Sequence, residues 1–156
     1  MDFVFFDEMA RQLLEENPAY RENWAEFHHH IYFRQIERED AVSGRSFVTD
    51  RGTVDAFAFN PDTMAFMETN IEKEYRRYTA VIQLGSAASL GQEYYRTDDI
   101  RNESIAAALR IERAITAAWS NHPGYRLVEA EVDFEKKYRN FLDTISEISR
   151  KKVDGK

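Results

Sequence analysis

The chain predicts an α/β protein in which a parallel sheet of about four strands lies between helices in three layers. Two observations carry this. Short apolar or β-prone runs recur at Phe3–Phe6, Ser46–Thr49, Thr79–Leu84 and Tyr125–Glu129. Segments of helical spacing separate each run from the next, which is the signature of βαβ units and a parallel sheet. No linker, repeat or low-complexity segment interrupts the pattern, so residues 1–150 read as one domain and 151–156 as a charged tail.

Phe3-Val4-Phe5-Phe6 is a continuous apolar run, as expected of a strand buried on both faces. Asp7 and Glu8 follow it, and Met9, Ala10, Leu13 and Leu14 open a helix that Asn17-Pro18 ends. The spacing of Trp24, Phe27, Ile31 and Val42 predicts a longer helix from about Glu22 to Val42, stopped by Ser43-Gly44. Ser46–Thr49 is the next strand. Asn60-Pro61-Asp62 has the form of a helix start, a cap followed by proline and an acid. Helical character runs through Glu68 and again from Ile71 to Tyr78. After the third strand, small residues lead to a helical turn near Tyr95. Ile105, Ala108, Leu109, Ile115 and Trp119 mark a helix over Ser104–Asn121, broken by His122-Pro123-Gly124. Beyond the fourth strand, Phe134, Tyr138, Phe141, Ile145 and Ile148 define a strongly amphipathic last helix.

Composition excludes several function classes. With 156 residues, 43% hydrophobic and 31% charged, the chain resembles an ordinary soluble protein, and its 11 Phe and 8 Tyr argue against disorder. A net charge of −7 disfavours non-specific nucleic-acid binding. The absence of cysteine removes disulfides and thiolate metal sites and is compatible with a cytoplasmic location. No apolar run approaches the roughly 20 residues of a membrane span.

The residues with most chemistry lie at strand ends. Asp50-Arg51-Gly52 follows the second strand and Glu8 the first. In a parallel sheet both point into the crevice at the carboxyl ends, where ligands bind in open α/β sheets. Paired acids there suit a hydroxylated acceptor or Mg²⁺, and Arg51 can grip phosphate with its planar fork. Glu8 is equally well explained as an acid in the first turn of a helix. Asp55 reads slightly better as a helix cap than as a ligand-binding group. Arg96, Arg101, Arg110 and Arg113 could close over phosphates, although the pattern alone favours a solvated helix paired with Glu103 and Glu112. Glu112 falls within the apolar stripe, and Arg101 is its candidate partner. His28-His29-His30 cannot converge on one metal ion, because successive helical residues point about 100° apart. His28 is expected to be packed instead. No G-x-x-x-x-G-K-[ST], no G-x-G-x-x-G and no Ser/His/Asp arrangement is present.

Taken in order, four motifs resemble the AAA-type P-loop ATPases and kinases grouped with the NadR ribosylnicotinamide-kinase domain. They are Phe5-Phe6-Asp7-Glu8-Met9-Ala10-Arg11, the D-R-G-x-x-D run from Asp50 through Phe59, the strand Arg77–Leu84 followed by Glu93-Tyr94-Tyr95, and Arg101-Asn102-Glu103 with Ala118-Trp119-Ser120-Asn121-His122-Pro123. The resemblance implies a P-loop kinase-like fold with strand order 2-3-1-4-5 and transfer of a phosphoryl group from ATP or GTP, with Mg²⁺, to a small hydroxylated acceptor. It assigns Asp50 to the Mg²⁺ side and to catalysis with Glu8. Arg51, Asp55 and Arg11 go to the acceptor, and Arg96, Arg101 and Arg113 to the nucleotide or lid. The family's Walker A loop has no counterpart, so the chain looks like the family domain without its first strand, phosphate loop and first helix. Weak or absent activity is then expected of the chain alone, and a non-catalytic binding module for a protein or an anionic head group is the alternative. The missing strand would lie between Ser46–Asp50 and Thr79–Leu84, where the sheet could close up, stay weak or pair with a second copy.

Overall fold

The computed structural model describes residues 3–42, 44–95 and 104–154, with side chains described as far as 150. The chain forms two compact units, residues 1–76 and 77–156.

In the first unit, β1 (Phe3–Phe6) leads into α1 (Met9–Glu16), a 3₁₀ turn (Pro18–Glu22) and α2 (Trp24–Asp40). β2 (Ser46–Thr49), α3 (Thr53–Phe59), α4 (Asp62–Phe66) and α5 (Ile71–Tyr75) follow. β1 and β2 run parallel in the register Phe3↔Ser46 to Phe6↔Thr49. Met9, Leu13 and Phe27 are buried where α1 meets α2, with Leu14, Tyr20 and Ile31 packed around them. Thr53, Val54, Asp55, Ala56 and Phe57, five successive residues of α3, are all buried.

Two helix boundaries differ from the sequence expectation. The predicted helix from Glu22 to Val42 begins at Trp24, because the Asn23 side chain accepts the Glu26 N–H at 3.2 Å and caps it there. Asn60 ends α3, its N–H bonding the Ala56 carbonyl at 2.9 Å, and also precedes the expected helix start: α4 opens at Asp62 after Pro61, with the Thr63 N–H on the Asn60 carbonyl at 3.0 Å. The unpredicted α3 starts at Thr53, seven residues before Asn60, because the Asp55 carboxylate turns back onto the Gly52 N–H at 3.1 Å. That contact is half of a capping box, glycine having no side chain to complete it.

In the second unit, β3 (Val81–Leu84) pairs in parallel with β4 (Tyr125–Val128), from Val81↔Tyr125 to Leu84↔Val128. Between them lie a 3₁₀ turn (Ala87–Leu90) and α6 (Ile105–Trp119), and α7 (Phe134–Asp154) follows β4. Ala108, Ile115, Trp119 and Val128 are buried. His122 locks the turn before β4: its Nε2 lies 2.9 Å from the Tyr78 carbonyl and its Nδ1 accepts the Gly124 N–H at 3.0 Å. Gly124 has to be glycine, since a Cβ there would meet the Thr79 carbonyl oxygen at 2.5 Å.

The mixed α/β class is therefore present, with parallel pairing throughout. The expected run of four strands is hydrogen-bonded, among the described residues, as two sheets of two strands each, β1-β2 and β3-β4. The separation falls between the second and third strands, where the family resemblance places a missing strand.

Candidate functional site

Parallel register decides what the first unit's strand ends bring together. Because Phe6 sits opposite Thr49, the next residues, Asp7 and Asp50, emerge side by side, and the Asp50 N–H reaches the Phe6 carbonyl at 3.4 Å. Glu8 follows as the N-cap residue of α1, with no hydrogen bond from its side chain to the helix. Asp7, Glu8 and Asp50 are all exposed, and among the described residues none of their carboxylates is engaged. Three acids thus stand open at the carboxyl end of one parallel strand pair.

Behind them lies a polar network that fixes the turn after β2. Gln35, 2% exposed, directs its Nε2 at the Arg51 carbonyl (2.8 Å), Thr49 Oγ1 (3.0 Å) and Glu39 Oε1 (2.5 Å). Thr49 Oγ1 donates to the same Arg51 carbonyl at 2.7 Å. Arg38 donates from Nη1 to the Asp7 carbonyl at 2.9 Å and from Nη2 to Thr49 Oγ1 at 2.9 Å and to Gln35 Oε1. Its guanidinium carbon lies 5.0 Å from the centre of the Phe6 ring, within cation–π range. One arginine on α2 therefore ties the residue after β1 to the last residue of β2.

Beside the network opens a cleft of about 510 Å³, within the size range of small-molecule sites. Phe5, Phe6, Asp7, Met9, Gln12, Arg34, Glu37 and Arg38 line it. Sequence reasoning found Asp7's strand end but not Arg34, Gln35, Arg38 or Thr49. A signal existed: residues 34 and 35 lie four and three positions before 38, the spacings that share a helix face. It could not be read without knowing that this face of α2 backs onto the strand ends.

The other expected site residues divide. Arg51 is half-buried beside Asp50, and its backbone carbonyl anchors the network. Asp55 is 7% exposed and holds the Gly52 N–H, which supports the capping reading. Arg11 lies exposed on α1 and does not line the cleft. Arg113 lies exposed on α6 in the second unit. Arg96, Arg101 and Glu103 fall outside the described residues. Glu112 Oε1 accepts the Ser86 N–H at 2.8 Å; its expected partner Arg101 lies outside the described residues. No group of three or more acids or histidines among the described residues is placed to hold a metal, the histidine triplet included. His28 is packed as expected, 8% exposed and stacked on Phe59, with Nδ1 2.7 Å from the Trp24 carbonyl. Burial holds its pKa below the ordinary imidazole value.

A family model described as AAA domain matches residues 1–137. The chain belongs to the AAA domain family. This membership supports a nucleotide-binding function of the P-loop type for the domain. No curated protein and no solved structure matches the chain. Within this AAA domain, the strand pair that carries Asp7, Glu8 and Asp50 lies inside the matched residues, as does the whole of the cleft. No helix among the described residues is long and apolar enough to cross a membrane.

Proposed function

We propose that this AAA domain carries the acceptor and Mg²⁺ side of a phosphoryl-transfer site related to that of the NadR ribosylnicotinamide-kinase domain. ATP or GTP is the donor and a small hydroxylated molecule the acceptor. The observation that carries the reading is the register Phe6↔Thr49, which sets open carboxylates at one carboxyl end of parallel strands inside a family-matched region. Asp50 is the carboxylate suited to Mg²⁺, a hard cation that takes one or two carboxylates along with substrate phosphates. Bound there, Mg²⁺ would neutralise phosphate charge. Glu8 and Asp7 stand where they can accept a hydroxyl proton, and Arg51 is the cation nearest in sequence to Asp50. Arg96, Arg101 and Arg113 are assigned to the nucleotide by the resemblance alone. The reading treats residues 1–150 as one functional domain.

In P-loop enzymes the Walker A backbone and lysine supply most of the phosphate grip. The 156 residues contain no such motif. The proposal therefore expects weak Mg-ATP and Mg-GTP binding by this chain, with its amide shifts confined to Asp7, Glu8 and Asp50–Gly52. Calorimetry combined with amide NMR checks this. Low-micromolar Mg-ATP binding would overturn the incomplete-site part of the reading, and shifts confined to other residues would overturn the site itself.

A second reading, a non-catalytic binding module, is favoured by one observation. Phe3 (37% exposed), Phe5 (73%) and Val48 (47%) share one face of the β1-β2 pair and are left uncovered. Parallel sheets are normally covered on both faces. An in-frame Walker A motif in the DNA preceding Met1 would favour the phosphoryl-transfer reading. A stop codon and ribosome-binding site there would favour the binding module.

A further inference from the structure

The cleft beside β1 is lined by two cations and two anions, and their commitments differ. Arg38 is anchored by the Asp7 carbonyl, Thr49 Oγ1, Gln35 Oε1 and the face of the Phe6 ring. It is a fixed charge in the wall. Arg34 lies one helical turn earlier on α2, is exposed, and makes no hydrogen bond or ion pair among the described residues. Its planar fork is available, and such forks match carboxylate and phosphate in bidentate fashion. Asp7 and Glu37 are the two acids of the lining, both exposed and both with carboxylates unengaged among the described residues. Ionised carboxylates only accept hydrogen bonds, so they ask a ligand for donors.

With two charges of each sign, the cleft offers a bare anion no net attraction. It offers a molecule with an oxyanion at one end and hydroxyls at the other a partner for each. We infer that the cleft binds a small hydroxylated molecule that carries its own carboxylate or phosphate, the oxyanion on Arg34 and a hydroxyl on Asp7. This names the acceptor class for the proposed phosphoryl-transfer site and rests on that reading for its catalytic meaning. The binding itself stands on the cleft alone.

The test uses the whole chain, without nucleotide, at low salt. Glycerol 3-phosphate, glycerate and inorganic phosphate are titrated by calorimetry and by amide NMR. One of the two hydroxylated probes should bind with shifts at Asp7, Gln12, Arg34, Glu37 and Arg38, and inorganic phosphate should bind at least about tenfold more weakly. Whichever probe binds tighter identifies the oxyanion as phosphate or carboxylate. R34A should weaken the tighter probe by about tenfold, and R34K should recover part of the loss, because a lysine keeps the charge but not the fork. D7A should narrow the preference for that probe over inorganic phosphate. Thermal melts of the variants should match the parent, since neither side chain has a contact to lose. Binding unaffected by R34A overturns the inference, as does inorganic phosphate binding as well as the hydroxylated probes, or an absence of shifts in the cleft. Arg34-dependent binding alongside complete failure to bind Mg-ATP or Mg-GTP would leave the inference standing and count against the phosphoryl-transfer reading.

Discussion

Two strand pairs of the same length and the same parallel sense end in opposite ways. At the end of β1 and β2 the acids Asp7, Glu8 and Asp50 stand open, while uncharged Gln35 and Thr49 and the fixed Arg38 secure the backbone behind them. At the end of β3 and β4 two charged groups, Glu112 and Lys137, secure the backbone, while Glu129, the residue after β4, is exposed. Glu112 accepts the Ser86 N–H at 2.8 Å, and Lys137 Nζ donates to the Gly85 carbonyl at 2.7 Å. The opening there is smaller, about 260 Å³, and Glu112 belongs to its lining. The comparison teaches that a carboxylate near a strand end is informative about ligands only when the chain does not already use it. Unit one keeps Asp7, Glu8 and Asp50 exposed; unit two commits Glu112 to a turn and keeps one acid, Glu129, the residue after β4, exposed in its opening.

The largest expected effect tests whether the second unit depends on its own core. Trp119, 3% exposed, packs edge-on against Tyr78 with ring centres 5.4 Å apart. Trp119→Ala should cost about 3–5 kcal/mol, read by urea unfolding, with amide-exchange protection lost first in α6 and β4. Protection lost equally in α1 and α2 would break the separation drawn between the units. Next, Gly124→Ala should destabilise by about 1–3 kcal/mol, because its Cβ would be driven against backbone that cannot move aside. A thermal melt unchanged from the parent would show the turn before β4 to be looser than described.

The sharpest test of the comparison is a pair of truncations. Glu112→Ala leaves the Ser86 N–H without its acceptor and should cost about 1–3 kcal/mol. Asp50→Ala removes a carboxylate with no partner and should change stability by less than about 0.5 kcal/mol. Equal costs in denaturant unfolding would erase the distinction between the two strand ends. The smallest effect is a pH dependence. Burial lowers the pKa of His28 in the folded state, so the unfolded chain binds the extra proton more readily. The neutral ring's contribution to stability is complete above the unfolded value of about 6.5 and is lost as pH falls through that value toward the folded pKa. His28→Phe should flatten this part of the stability profile between pH 7 and 5, as measured by chemical denaturation.

Much of this was legible because local chemistry dictated it. Phe3–Phe6 and Ser46–Thr49 formed strands within the expected bounds, and the amphipathic pattern beginning at Phe134 became α7. Asn60-Pro61-Asp62 did open a helix, α4, but α3 just before it went unseen because the Asp55 contact that begins it depends on a turn at Gly52. Glu112 was singled out as an acid in an apolar stripe, but the sequence could not show that it accepts a backbone N–H brought in from 26 residues away. Arg34, Gln35 and Arg38 were passed over because nothing within α2 says what lies against it.

By itself the sequence determined the four strands and every α-helix but α3, that Asp7-Glu8 and Asp50-Arg51-Gly52 terminate strands, and that no Walker A loop lies within these residues. Those are properties of side-chain periodicity, capping and composition, which act over a few residues. Only the tertiary structure decided that the two acidic ends emerge side by side, because that depends on the parallel register Phe6↔Thr49 across 42 residues of intervening chain. It also decided which charged groups stay unengaged among the described residues, since a hydrogen bond between distant segments exists only once the chain has folded.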